Sequence, residues 1–163
     1  MTLIGGDANY TITLSTDYTG SAGSESPSGD TVKFFAQDVE YKPTSGDQRK
    51  ILSNGSSLKV ITGKISRSVG LMNCIVVANV ENTATEEMDA IEEFVHAHGE
   101  KVGSTKVYLW IYHESDARYK KLGYDSSNNH TRYLKGFPLP LDYKMGAGKT
   151  YIMPTFLFEE VTI

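Results

Sequence analysis

A single cysteine, Cys74, stands in these 163 residues. One cysteine excludes a disulfide within the chain and a zinc site made of four cysteines. Its setting, "LMNCIVVANV", is apolar, so Cys74 is expected as a small buried hydrophobe rather than a reactive thiol. Long hydrophobic runs are missing as well. No stretch approaches the ~20 apolar residues of a membrane helix, so no membrane span is expected. The start, "MTLIGGDANYTITL", has no basic segment leading into an apolar one, so no secretory signal is expected and synthesis is placed in a cytoplasm. Positive charge is not in excess either: 16 Lys and Arg face 20 Asp and Glu, for a net charge of −4. That balance leaves no footprint for sequence-specific nucleic-acid binding, and it suits a surface that nucleic acid passes without sticking.

Catalytic signatures are lacking too. "KMGAGKTY", residues 144–151, has the glycines and lysine of a phosphate loop. Such a loop reads G-x-x-x-x-G-K-[ST], and Tyr143 stands where the first glycine belongs. The segment also leads into "YIMPTFLFEEVTI", which is aromatic, β-branched and strand-like, where a phosphate loop needs a helix. A Gly-containing turn between two strands is expected there. His96 and His98 lie two apart on a helical pattern and therefore do not share a face for chelation. Glu159 and Glu160 are adjacent in a strand pattern and point to opposite faces, so they do not form an acid/base pair. "GSAGSES" does not follow an apolar strand into a helix and is no nucleophile elbow. No catalytic, cofactor or metal residue is nominated, and the chain is not expected to be an enzyme.

What is present is β pattern with one helix. "YTITL" (10–14), the stretch 32–41, residues 57–67 broken at Gly63, and 71–81 read as strands. In 71–81 the face Met72, Cys74, Val76, Ala78, Val80 is wholly apolar and the other is mixed. "KVYLWIYH" is apolar on both faces, with Val107, Leu109 and Ile111 opposite Tyr108, Trp110 and Tyr112. It reads as a central strand, one face in the core and the other against the helix or another subunit. Strands are also expected up to about Lys135 and over 150–161. The helix covers 83–98. Thr83 and Glu86 form a capping box, Gly99 follows the end, and Ala84, Met88, Ile91 and Val95 make an apolar stripe. Glu86, Glu87, Asp89, Glu92 and Glu93 make its other side acidic. Two polar stretches, 15–31 and 113–131, are expected as long loops. No fixed repeat and no linker appears. The expected fold is mainly β (α+β): one domain over 1–163, an antiparallel sandwich or barrel with one flanking amphipathic helix.

Ten tyrosines and one tryptophan admit two readings, a sugar-binding platform or a protein interface. The layout resembles the tail-tube and secretion-tube superfamily of phages, tailed archaeal viruses and contractile injection machines. Three features carry the resemblance. The helix falls between a strand pair and "KVYLWIY", two long polar loops flank the sheet, and the ending "YIMPTFLFEEVTI" is similar to the terminal strand of such tubes, with its F-x-x-V tail. The resemblance implies a virion structural protein without cofactor. Its partners would be other copies of itself, in hexameric rings stacked into a hollow tube, and other tail proteins, with DNA passing through unbound. Tyr108, Trp110, Tyr112, Phe156 and Phe158 are expected at the subunit interface. The alternatives are another virion or injection-machine part (tail terminator, baseplate or capsid-decoration protein) and a carbohydrate-binding β-domain.

Overall fold

The computed structural model describes residues 2–3, 6–7, 10–45, 48–60, 65–99, 105–145 and 150–160. Two short strands, β1 (Thr2–Leu3) and β2 (Gly6–Asp7), pair with each other. The first long strand is β3 (Tyr10–Thr19), followed by β4 (Ser26–Ala36) and β5 (Asp38–Ser45). A short hairpin comes next, β6 (Gln48–Ile51) and β7 (Ser57–Val60), then β8 (Ile65–Val76). The helix α1 (Ala84–His98) separates these from β9 (Val107–His113). Three two-residue strands follow, β10 (Arg118–Tyr119), β11 (Gly123–Tyr124) and β12 (His130–Thr131). The remaining strands are β13 (Tyr133–Pro138), β14 (Lys144–Met145) and β15 (Tyr151–Glu160).

Six strands close into a ring. In order around it stand β3, β4, β8, β15, β13 and β9, and β9 pairs back onto β3. The neighbouring pairs are antiparallel. β4 and β5 act as one strand bent at Gln37, whose N–H donates to the Met72 carbonyl. The ring is thus two three-stranded meanders, β3–β4/β5–β8 and β9–β13–β15, joined in sequence by α1. The expected antiparallel barrel with one helix is what forms. Inward residues pack one core. Ile12 and Leu14 of β3, Phe34 of β4, Leu71 of β8, Leu109 of β9 and Phe156 of β15 are all buried in it. Ala84, Met88, Ile91, Phe94 and Val95 of the helix belong to the same cluster. The outward side of β15 (Pro154, Thr155, Leu157) stays exposed, so the helix does not lie on the barrel wall there. It closes one mouth. Thr83 and Glu86 form the capping box that starts it.

Two local features shape the ring. Inward positions on β8 change parity, from Val69 and Leu71 to Cys74 and Val76, and those on β15 change with them, from Tyr151 and Met153 to Phe156 and Phe158. The switch lies at Asn73, which has φ 52°, opposite Pro154. Neither residue belongs to the ladder, and the register is unchanged on either side. The strict alternation expected over 71–81 therefore fails at Asn73: Met72 is only partly buried and Leu71 is in the core. The second feature is Gly136 on β13, where an added Cβ would lie 1.9 Å from the Glu159 carbonyl oxygen. Only glycine permits β13 and β15 to close at that distance.

The polar stretch 15–31, expected as a loop, is mostly hairpin. β3 and β4 pair from Tyr10↔Ala36 out to Thr19↔Ser26, with a register shift between Ser15 and Asp17. Thr16, Tyr18 and Thr19, residue types that favour strands, carried β3 further than its low apolar content suggested. The stretch 113–131 is turn-rich and contains three short strands. The β3–β4 hairpin brings Tyr18 over the outward face of β9, where its ring meets Tyr108 at 5.1 Å and Tyr133 at 4.7 Å. Trp110 is fully buried in this layer and donates its indole N–H to Ser15 Oγ at 2.8 Å. The second apolar face of β9 is thus covered by the chain itself, not by α1.

Candidate functional site

Among the described residues the mouth opposite the helix is open. The helix follows the end of β8 and leads to the start of β9, and Thr85 Oγ1 lies 2.9 Å from the hydroxyl of Tyr151 at the start of β15. The other mouth is bounded by Tyr10 at the start of β3, His113 at the end of β9, and Val39 and Tyr41 of β5. It holds a cleft of about 700 Å³.

Chain geometry dictates what lines it. After His113 the backbone turns through Ala117, which has φ 53°, and β10 pairs back on β9. Lys120 N–H then donates to Ile111 O at 2.8 Å, and Leu122 N–H to Thr131 O at 2.8 Å. The β11–β12 turn is tied by Asp125, whose carboxylate accepts from the Ser127 and Asn129 N–H groups at 2.9 Å each. Those bonds, from Asn129 foremost, hold the Asp125 carboxyl below its usual range. The result places Arg118, Lys120, Lys121 and Arg132 around one cleft, with Asp116 as the acid. None of these four cations has a carboxylate within ion-pair distance among the described residues.

Aromatic rings pack against Arg132 and against the neighbouring Arg67. The Arg132 guanidinium lies 5.6 Å from the centre of the Tyr119 ring, and Tyr119 packs edge-on against Trp110 and Tyr112. Tyr124 stacks on His130 at 4.7 Å, and the Arg67 guanidinium lies 5.0 Å over its ring. Arg67 is itself paired with Glu160 at 2.8 Å, both side chains largely buried. The Tyr41 hydroxyl donates to Leu122 O at 3.3 Å. Burial raises the Tyr119 and Tyr41 hydroxyls above their usual range. The imidazole of His130 is pushed the other way: burial, then Lys121, Lys120 and Arg67, disfavour its charged form. The arrangement is an electropositive cleft on an acidic protein.

A second cavity, about 490 Å³, lies between α1 and residues 139–141 and is lined by Glu92, Val95, His96 and Leu141 among others. Among the described residues no group of three His, Cys, Asp or Glu side chains is placed to hold a metal ion. No helix among them is long and apolar enough to cross a membrane. Cys74 is buried, with its thiol pushed up to about 12 by desolvation.

Of the residues expected at a subunit interface, Phe156 and Phe158 are wholly inside the barrel core, and Trp110 is wholly inside the aromatic layer. A side chain with no exposed surface in one chain is not available to another, so these three are corrected to core positions. β15 is a ring strand with both edges paired, which is why its alternate aromatics point inward. Tyr108 and Tyr112 are partly buried, in contact with Tyr18 and Tyr119. "KMGAGKTY" is flanked by the pairs Lys144↔Ile152 and Met145↔Tyr151, a hairpin, while 146–149 lie outside the described residues. The four cleft cations are not nominated by the sequence. Their signal was "RYKKLGY", residues 118–124, where cations interleave with tyrosines in a chain of net negative charge.

No protein-family model matches the chain, and no curated protein matches it in sequence.

Proposed function

We propose that the chain is a structural subunit that self-assembles into hexameric rings stacked as the hollow tail tube of a virus, through which DNA passes. One observation carries the reading. β6 and β7 pair only with each other among the described residues, and Ile51 and the turn that follows, 52–56, are exposed. Ile51 is 78% exposed and Leu52 42%. A lone two-stranded hairpin is marginal in water, and apolar side chains at its tip gain stability only against another surface. Among the described residues the outer edge of β5 is unpaired as well, and an unpaired edge is a template for another chain. Asp38, Glu40, Lys42 and Pro43 on that strand restrict which partner can pair there.

The test is negative-stain electron microscopy of the full chain over a range of concentrations, beside a variant in which a short turn replaces 48–60. The expected result is rings or tubes for the parent chain and monodisperse particles for the variant. Single rings that never stack would instead indicate a terminator or baseplate part. Small particles at every concentration from the parent chain would overturn self-assembly. The sugar-platform alternative loses Tyr119 and Tyr133, which pack against Trp110, and keeps Tyr124 and Tyr143, which are exposed.

A further inference from the structure

The helix that closes one mouth and the cleft in the other carry opposite charge. At the helix end, residues 77–100 contain no Lys or Arg, while Glu81, Glu86, Glu87, Asp89, Glu92 and Glu93 all lie within it. The buried stripe of α1 faces the core, which leaves Glu86, Asp89 and Glu93 exposed in one line at helical spacing. At the other end stand Arg118, Lys120, Lys121 and Arg132. β9 fixes the two ends apart, since α1 leads to its first residue, Val107, and the cleft includes its last, His113. The exposed helix face and the cleft, at opposite ends of β9, are therefore complementary in charge.

We infer that the cleft end of one copy receives the helix end of the next, the line Glu86–Asp89–Glu93 seating against Lys120, Lys121 and Arg118. The occupant is a second copy because this chain presents both halves of the match. A contact between unlike ends of the same chain is heterologous and repeats without limit, which is what a stack of rings requires. Mutual repulsion among four cations in one cleft is unfavourable in the single chain and is relieved by an arriving acidic surface. The inference rests on the tube reading for its setting, and it names the stacking contact that reading leaves open.

The experiment is sedimentation velocity on the full-length chain at ~0.01 M and ~1 M salt, where the screening length falls from ~30 Å to ~3 Å. Three proteins are compared: the parent, K120E/K121E, and D89K/E93K. All four positions are exposed, so both variants are expected to fold, with parent-like circular dichroism as the control. Association of the parent should weaken steeply with salt. Each variant alone should associate about tenfold more weakly or worse, and an equimolar mixture of the two should recover association. Parent-like association of both variants, or a mixture that does no better than its parts, would overturn the inference. Micrographs separate the two ideas: tubes that ignore the charge reversals sink this contact and leave the tube reading standing. Salt-dependent, mixture-rescued pairing without rings or tubes sinks the tube reading and leaves this contact standing. If a small polyanion, tripolyphosphate, binds the cleft while the parent stays monomeric at both salts, the occupant is not a second copy.

Discussion

His130 and Cys74 report on two opposite environments. The imidazole sits under Tyr124 with Lys120, Lys121 and Arg67 nearby, and its neutral form is favoured. Its folded pKa lies below the ordinary 6.5, so whatever stability it contributes is present above that value and is lost as the pH falls beneath it. An NMR titration of the histidine rings should find His130 titrating below 6.5, and K120Q/K121Q should move it upward. No movement in the double variant would mean that burial and Arg67, without the two lysines, set the shift. Cys74 has the reverse sign for an acid. Its thiol is held protonated, pushed from 9.0 to about 12, so its contribution is full below about 9 and fades as the pH rises toward 12. An aromatic disulfide reagent at neutral pH should label Cys74 only at the rate of unfolding; fast labelling of the native chain would contradict its burial.

At the level of single elements, the helix was the most legible part of the sequence. Its cap, stripe and terminal glycine are local signals, and they place Thr83 and Gly99 at the two caps. Strand existence was legible too, because alternation survives wherever a strand keeps one face in the core. The β8 parity switch was not, since it depends on Asn73 adopting a left-handed backbone opposite Pro154, a pairing across about eighty residues of sequence. The inward turn of Phe156 and Phe158 was missed for a related reason: alternation shows that a strand has two faces, and only ring closure decides which one is inside. The cleft was least legible, because Arg118 and Arg132 meet only through the fold of the β9–β13 connection. Gly136 offers a sharp test at this scale. Gly136→Ala pushes a methyl into the Glu159 carbonyl, and parting β13 from β15 should cost ~3 kcal/mol in urea unfolding. A loss below ~0.5 kcal/mol would mean the seam yields without strain.

Among the described residues, both meanders and the helix contribute to one buried core. Trp110, the only tryptophan, sits where β3 of the first meander meets β9 of the second. Its fluorescence and the far-UV circular dichroism should therefore follow the same single transition in urea. Transitions that separate would show the meanders unfolding one after the other. Trp110→Phe removes the hydrogen bond to Ser15 and some buried volume, and should shift that shared transition by ~2 kcal/mol.

Ring closure also sets a timetable for folding. β3 can zip onto β4 as soon as both exist, because only a short turn separates them. β8 must wait for β15 to pair Ser68 with Glu159, and β3 must wait for β9 to pair Ser15 with Tyr108. Such distant pairings make folding slow, on the millisecond-to-second scale of barrels dominated by non-local contacts. During synthesis the first meander is complete while the strand that will cover its outer edge is still unmade. A growing chain on the ribosome thus carries an uncovered sheet edge from the making of β8 until that of β15, and neighbouring nascent chains on one message are its nearest hazard.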